Sequence, residues 1–237
     1  MDKINAVILA GGLGSRLKEV VSDLPKPLAP IHDKPFLDIL LAQLEAFEMI
    51  SKVILAVGYR ADQVVSYYKN RPNITFSTET SPLGTGGALK KAIEEVSSED
   101  VLVCNGDSFL DYSLVEMRQH YQAADADITM ACCKVEEASR YGQVDFDVES
   151  GRILEFKEKS TKMVAGWING GVYLMKRDIL RDFPSDHPFS LEQELFPKLL
   201  KKRMFSYPTA GLFIDIGTKE SYLQAQEILK GVYAEAR

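Results

Sequence analysis

An α/β fold is what this sequence predicts: a Rossmann-like, mostly parallel mixed sheet flanked by helices, with a small β sub-region in its second half. Three observations lead there. Runs such as Ile4 to Leu9, Lys52 to Val57 and Val101 to Cys104 are short and nearly all apolar, as strands buried on both faces of a parallel sheet are. Between them stand segments with apolar residues at helical spacing, which makes a β-loop-α-β-α rhythm with right-handed crossovers. From Tyr141 the pattern changes to alternation about a turn, the mark of a hairpin.

The elements follow in order. After the first strand, Asp23 to Ile31 (DLPKPLAPI) carries three prolines in six residues, which predicts a stiff, extended, non-helical segment. Asp33 is placed to cap a helix with Pro35 near its first turn, its apolar face being Leu37, Leu40, Leu41, Leu44 and Phe47. Lys52 to Val57 is the next strand, and Ala61, Val64, Val65 and Tyr68 mark a second helix. Ile74 to Ser77 is a short strand running into Glu79 and the cluster Pro82-Leu-Gly-Thr-Gly-Gly-Ala88, which opens a third helix with Thr85 as its cap. Leu89, Ala92, Ile93 and Val96 form that helix's buried face. Val101 to Cys104 ends in Asn105-Gly-Asp107. A helix with Leu114, Met117 and Tyr121 precedes a strand from Asp127 to Val135. Gln143 to Val148 and Arg152 to Phe156 make a hairpin about Glu149-Ser-Gly151, and Gly171 to Met175 is a further strand. A helix from about Leu191 to Leu200, strands near Phe205 and from Leu212 to Ile214, and a last helix complete the chain. Thr218 caps that helix, where Tyr222, Ala225, Ile228, Leu229 and Val232 recur at helical spacing.

Length and composition limit the function classes. At 237 residues, 46% hydrophobic and 26% charged, the chain can bury one sizeable core, which predicts a single domain over 1–237. No apolar run reaches 18 residues and no signal-peptide flanks appear, so a soluble cytoplasmic protein is expected. Cys104, Cys132 and Cys133 lack metal-site spacing and read as buried thiols of a reducing compartment. His32, His120 and His187 are scattered and read as structural or surface residues. The net charge of −6 leaves no basic field for nucleic acid. A phosphorylated small substrate would then need local positive charge, from Arg16, Lys26 and a bound cation.

The chemistry concentrates at strand ends. Gly11, Gly12, Gly14, Ser15 and Arg16 follow the first strand. Glycines there let the backbone approach a ligand with its N–H groups aimed at phosphate oxygens, and Arg16 adds a fork of donors. The plain alternative is a tight turn with a solvated arginine. Two familiar loops are excluded: no lysine completes a P-loop, and Leu17 stands where a dinucleotide fingerprint needs its third glycine. Lys26 is either held on a preorganised proline backbone or merely solvated. Asp107, at the C-terminal end of a parallel strand, lies where such sheets bind ligands, or else caps a turn.

Taken together, the motifs resemble a known family. Leu9-Ala-Gly-Gly-Leu-Gly-Ser-Arg-Leu17, Pro25-Lys-Pro27, Pro82 to Ala88, Asn105-Gly-Asp107, Glu158-Lys159 and Asp215-Ile-Gly-Thr218 occur in the order seen in sugar-1-phosphate nucleotidylyltransferases, across essentially the whole chain. PKPLAPI, PLGTGGA and Asn169-Gly-Gly-Val-Tyr173 most resemble the branch acting on D-glycero-α-D-manno-heptose 1-phosphate with GTP. The resemblance implies a nucleoside triphosphate and a sugar 1-phosphate giving an NDP-sugar and pyrophosphate. It implies Mg²⁺ held by Asp107 and Asp215, triphosphate contacts from Arg16 and Lys26, and a sugar-phosphate contact from Lys159. Leu9, Gly11, Gly12, Gly14, Ser15, Glu79, Gly84 and Thr85 match nucleotide-side positions, and Tyr141, Gly142, Glu158 and Asn169 fall near sugar positions. Residues up to about 135 would form the nucleotide half, and about 136–237 the sugar-phosphate half with the second metal ligand. Lys18 and Glu19 stand where relatives often have proline and threonine, and Ser160 replaces a proline.

Such a reaction needs positioning and charge neutralisation rather than a covalent nucleophile. Glu79 offers two acceptors to guanine's adjacent N1–H and 2-amino donors, which favours GTP; uracil and thymine present one donor between two acceptors. A solvated loop glutamate is the plainer reading of the same residue. Alternatives are a uridylyl- or thymidylyltransferase acting on a hexose or N-acetylmuramate 1-phosphate, a catalytically silent regulatory relative, and a glycosyltransferase. The silent relative would be expected to lose Asp107, Asp215, Arg16 or Lys26, and the glycosyltransferase to carry a D-x-D-like site. No membrane partner is expected, and self-association is left open.

Overall fold

The computed structural model describes residues 2–17, 20–21, 23–157, 165–184 and 187–230. Lys18, Glu19, Glu158, Lys159, Ser160 and Val232 lie outside them.

The first strand, β1 (Ile4–Leu9), is central in the sheet and buried along its length. After a single 3₁₀ turn at Ser15–Leu17, the proline segment makes another at Lys26–Leu28, where an extended path was expected. Proline fixes φ near the helical value, so Pro27 suits such a turn even though it cannot continue a helix. β2 (Pro30–Ile31) and β3 (Lys34–Pro35) then pair in a small ribbon. Asp33 lies in its turn and caps nothing; α1 (Phe36–Ala46) starts after Pro35 without a side-chain cap. β4 (Ile50–Val57), α2 (Ala61–Tyr68), β5 (Ile74–Thr78), α3 (Gly84–Ala92) and β6 (Asp100–Asn105) complete the parallel half. The order there is β6-β1-β4-β5. Its registers put Leu9 level with Ala56 and Asn105, so the C-terminal ends of these strands finish together.

β7 (Ser108–Leu110) and α4 (Leu114–Ala123) lead to β8 (Ile128–Val135). β9 (Gln143–Phe146) and β10 (Ile153–Lys157) are the expected hairpin, and β11 (Gly166–Lys176) is longer than its apolar core suggested. β11 runs antiparallel to β8 on one edge and, on the other, to β9 at Ile168 and to β6 from Val172 onward, which makes the sheet mixed. A π-helical turn at Leu191–Leu195 continues into α5 (Phe196–Leu199). β12 (Met204–Thr209) pairs parallel with β8, and β13 (Phe213–Asp215) pairs with β7. The closing helix is α6 (Lys219–Ile228), where Thr218 forms the expected cap with Ser221. Of the expected stripe, Tyr222, Ala225 and Leu229 are buried, whereas Ile228 is exposed.

Side chains alternate between two cores, as the pleat requires. Ala6, Ile8, Leu55 and Cys133 pack with α1, α2, α4 and α6 on one face. Val7, Ile54, Ala56 and Cys132 pack with α3 and the 189–199 segment on the other. The neighbouring cysteines thus point to opposite faces, and all three thiols are buried and free. No helix among the described residues is long and apolar enough to cross a membrane.

One packing contact fixes the rim of the sheet. The Phe189 ring lies flat against Gly86, and a Cβ there would overlap the ring. Gly86→Ala is expected to push this buried ring aside and cost about 1–3 kcal/mol, the usual penalty for overpacking. A urea denaturation series on both proteins checks it.

Candidate active site

A cavity of about 390 Å³ opens at the C-terminal ends of the parallel strands. Its floor is backbone. Gly106 N–H donates to the Leu9 carbonyl, Ala10 N–H to Ala56, and Tyr59 N–H to Gly11. A Cβ at Gly106 would stand 2.6 Å from the Leu9 oxygen, so only glycine permits that approach. Leu9, Gly11 and Gly12 line this floor, with Lys26 beside them. Gly14 has positive φ and carries its chain past the Lys26 stem. Arg16 is exposed on the turn that begins at Ser15.

Glu79 forms one wall. Its Oε2 accepts from Leu83 N–H at 2.9 Å, and its Oε1 lies so close to Gly11 that a Cβ there would be 2.7 Å away. Half-buried between the Gly11 and Gly58 backbones, its carboxyl is pushed above the ordinary range by burial, against the pull of Leu83 N–H and Lys91. Gly84 and Thr85 form the adjoining wall. Thr85 is no helix cap, since Leu83 holds that position. Its hydroxyl instead accepts from Leu191 N–H at 2.9 Å and donates to Glu192 at 3.1 Å.

The acidic residues meet through strand pairing. β13 lies against β7 with Asp215 opposite Ser108, and Ile216 N–H donates to the Asp107 carbonyl at 2.9 Å. Asp107 lines the cavity, and its Oδ2 accepts from Lys26 Nζ at 2.5 Å. Asp215 is held by Gly217 N–H at 2.6 Å, Ser221 Oγ at 3.0 Å and the Tyr141 hydroxyl at 2.5 Å. Burial and the Asp215 charge raise the Tyr141 phenol well above its ordinary range, so it stays a donor. Arg140 reaches Thr218 at 3.0 Å, which ties the same loop to the start of α6. Among the described residues no group of three or more His, Cys, Asp or Glu is placed to hold a metal. Asp107 and Asp215 would be two oxygen donors only.

Tyr141, Gly142 and Asn169 lie on the β8–β11 side. Gly142 is exposed, and its carbonyl accepts from Asn169 N–H at 3.4 Å. Asn169 Nδ2 donates to the fully buried Tyr173 hydroxyl at 2.8 Å. Expectations for Glu158 and Lys159 fall outside the described residues. The residue that sequence reasoning passed over is Glu192, which lines the cavity from the π-helical turn. It carries no motif, and its partner Thr85 lies 107 residues away.

The chain resembles known proteins over nearly its whole length. The model of the nucleotidyl transferase family matches residues 5–231. The chain is 39% identical over 231 residues to the D-glycero-alpha-D-manno-heptose 1-phosphate guanylyltransferase of Aneurinibacillus thermoaerophilus, spanning 96% of this chain and 99% of that one. The Campylobacter jejuni protein of the same name is 39% identical over 222 residues, spanning 92% and 97%. HddC from Yersinia pseudotuberculosis superposes with a TM-score of 0.85 at 35% identity, covering 96% of this chain and all of that one. Its structure complexed with GMP-PN superposes with a TM-score of 0.84.

The raised Glu79 carboxyl has a measurable consequence. A carboxyl whose pKa is higher folded than unfolded leaves the native state holding more protons, so stability falls as pH rises through that window. Glu79→Gln removes the titration. Thermal melts from pH 4 to pH 7 are therefore expected to show the variant gaining on wild type as pH rises from about 4.5, with no further gain once Glu79 is ionised.

Proposed function

The chain belongs to the nucleotidyl transferase family, and from that premise we propose that it transfers the guanylyl group of GTP to D-glycero-α-D-manno-heptose 1-phosphate. The products are the GDP-sugar and pyrophosphate. An oxygen of the sugar phosphate attacks the α-phosphorus, a P–O bond forms there, and the bond to the β-phosphate oxygen breaks in line. The attacking oxygen is already anionic, so no general base is required. The problem left to the protein is holding two anions together.

Glu79 carries the choice of base. A carboxylate fixed by Leu83 N–H and backed by Gly11 and Gly58 has acceptors for both of guanine's adjacent donors. Relatives named as guanylyltransferases over nearly their whole length support the same choice. The glycine loop follows β1, as a phosphate cradle at strand ends should. Arg16 and Lys26 would neutralise the triphosphate, and Lys159 would orient the sugar phosphate. Residues 1–135 would serve the nucleotide and 136–237 the sugar phosphate within one domain.

Asp107 and Asp215 would hold Mg²⁺. Two carboxylates at one rim suit a hard ion that takes its remaining ligands from phosphate and water. When bound, the ion supplies charge neutralisation for the phosphate oxygens. Lys26, already on Asp107, adds a fixed ammonium to the same rim. Tyr141 and Ser221 orient the Asp215 carboxylate. Three buried thiols suit a reducing compartment, so we place the reaction in the cytoplasm.

Pyrophosphate release from four nucleoside triphosphates crossed with a panel of sugar 1-phosphates tests this reading. GTP with the manno-heptose 1-phosphate is expected to be the best pair, and a preference for UTP or dTTP would sink it. Asp215→Asn keeps acceptors for Gly217 and Ser221 but removes the charge. It is expected to lower kcat about 100-fold or more with little change in melting temperature. Glu79→Gln places an amide nitrogen against a guanine donor. It is expected to lose about 10- to 100-fold of the GTP preference, the span of one bidentate base contact, in competition between GTP and UTP.

A further inference from the structure

The cavity has one fixed carboxylate whose task the nucleotide reading leaves open. Glu192 Oε2 accepts from Thr85 Oγ at 3.1 Å and from Ser190 Oγ at 2.9 Å. Those hydroxyls are themselves committed, Thr85 to Leu191 N–H and Ser190 to Gln193 N–H. The segment beneath is docked on the glycine cluster: Gly86 N–H donates to the Phe189 carbonyl, and Phe189 N–H to Leu83. The side chain is thus anchored through one oxygen. Among the described residues no cation pairs with it, and it lines the same space as Asp107 and the glycine loop.

A carboxylate on the wall of a site for two polyanions repels any phosphate it meets. Its contacts must be neutral donors. The cavity's order across the sheet says which. Glu79 follows β5, Gly58 follows β4, the glycine loop follows β1 and Asp107 follows β6, so base, triphosphate and metal rim run in that direction. The next strand is β11, which carries Asn169 and Tyr173. Glu192 belongs at this end: four residues on in the same helical segment, the Phe196 ring lies 5.0 Å from the ring of the buried Tyr173, whose hydroxyl accepts from Asn169.

We propose that Glu192 is a specificity-determining residue that accepts hydrogen bonds from ring or side-chain hydroxyls of the sugar 1-phosphate. The inference rests on the guanylyltransferase reading of the cavity. It makes the acceptor substrate a neutral, hydroxyl-rich sugar. A sugar bearing its own carboxylate, such as N-acetylmuramate 1-phosphate, would set like charge against Glu192.

Glu192→Gln tests it, because the amide oxygen still accepts from Thr85 and Ser190 and keeps the wall in place. Initial rates are measured with GTP and with D-glycero-α-D-manno-heptose 1-phosphate and mannose 1-phosphate. The sugar-phosphate KM is expected to rise about 10- to 100-fold, as for loss of a charged hydrogen bond, with the GTP KM and melting temperature unchanged. Equal rises in both KM values would mean a structural role, and an unshifted sugar KM would mean no contact; either overturns the assignment. Wild-type protein that releases no pyrophosphate from GTP with either sugar phosphate would overturn the guanylyltransferase reading and this inference together. Wild-type turnover with an unmoved sugar KM in the variant would overturn this inference alone.

Discussion

Three backbones touching at the ends of parallel strands are the constraint on which the site depends. The turn after β1 donates through Ala10 to β4 and accepts through Leu9 from Gly106. The Gly58 backbone lies against Gly11 closely enough that a Cβ would stand 3.0 Å from the Gly11 oxygen. With no side chains between them, the turns after β1, β4 and β6 form one continuous floor. Backbone can therefore approach a ligand there more closely than side chains would allow. The same close approach leaves room for Glu79 to lean over Gly11. The Glu79 wall and the glycine floor therefore share one cause.

Each carboxylate around that floor has at least one hydrogen-bond donor. Asp107 has Lys26, and Asp215 has three neutral donors. Glu79 has one backbone donor and remains costly to ionise, because burial removes water without supplying a cation. Such an arrangement is expected of a ligand site more than of a stability element. Elsewhere the chain shows the contrast: Asp127 is held by Lys176 and Arg203, and its carboxyl lies well below the ordinary range. That cluster joins the start of β8, the end of β11 and the turn before β12, and contributes nothing to the lining of the cavity described above.

What could be read from the sequence was what is local or strongly patterned. The buried strands announced themselves by composition, and Thr218 by its place before a periodic helix. The glycine and aspartate motifs stood at strand ends, where ligands bind. Misreadings came where one local rule competed with another. Asp33 and Pro35 look like a helix start, yet the residues between Pro30 and Pro35 close a two-strand ribbon. Pro27 looked extended and instead seeds a 3₁₀ turn that carries Lys26 to Asp107. Thr85 has a cap's chemistry, but Leu191 and Glu192 claim its hydroxyl. Glu192 itself was illegible because its significance comes wholly from a contact across 107 residues.

Past β6 the sheet changes character, because β11 exchanges partners along its length. β11 pairs with β6 only from Val172 onward, while its earlier residues pair with β8 and β9. Between Asn169 and Tyr173 its register against β8 slips: Asn169 faces Cys132 and Tyr173 faces Met130, so four steps on one strand span two on the other. The surplus is taken up at Gly170 and Gly171, where Gly171 has φ of +76° and its N–H donates to Asn169 Oδ1. A bulge of this kind bends the strand and re-aims its side chains. β11 thus parts from β6 where β6 ends, and the same edge passes to β9, with Ile168 opposite Gln143. Asn169 stands at that changeover, where its side chain spans the slip by accepting from Gly171 N–H and donating to the Tyr173 hydroxyl.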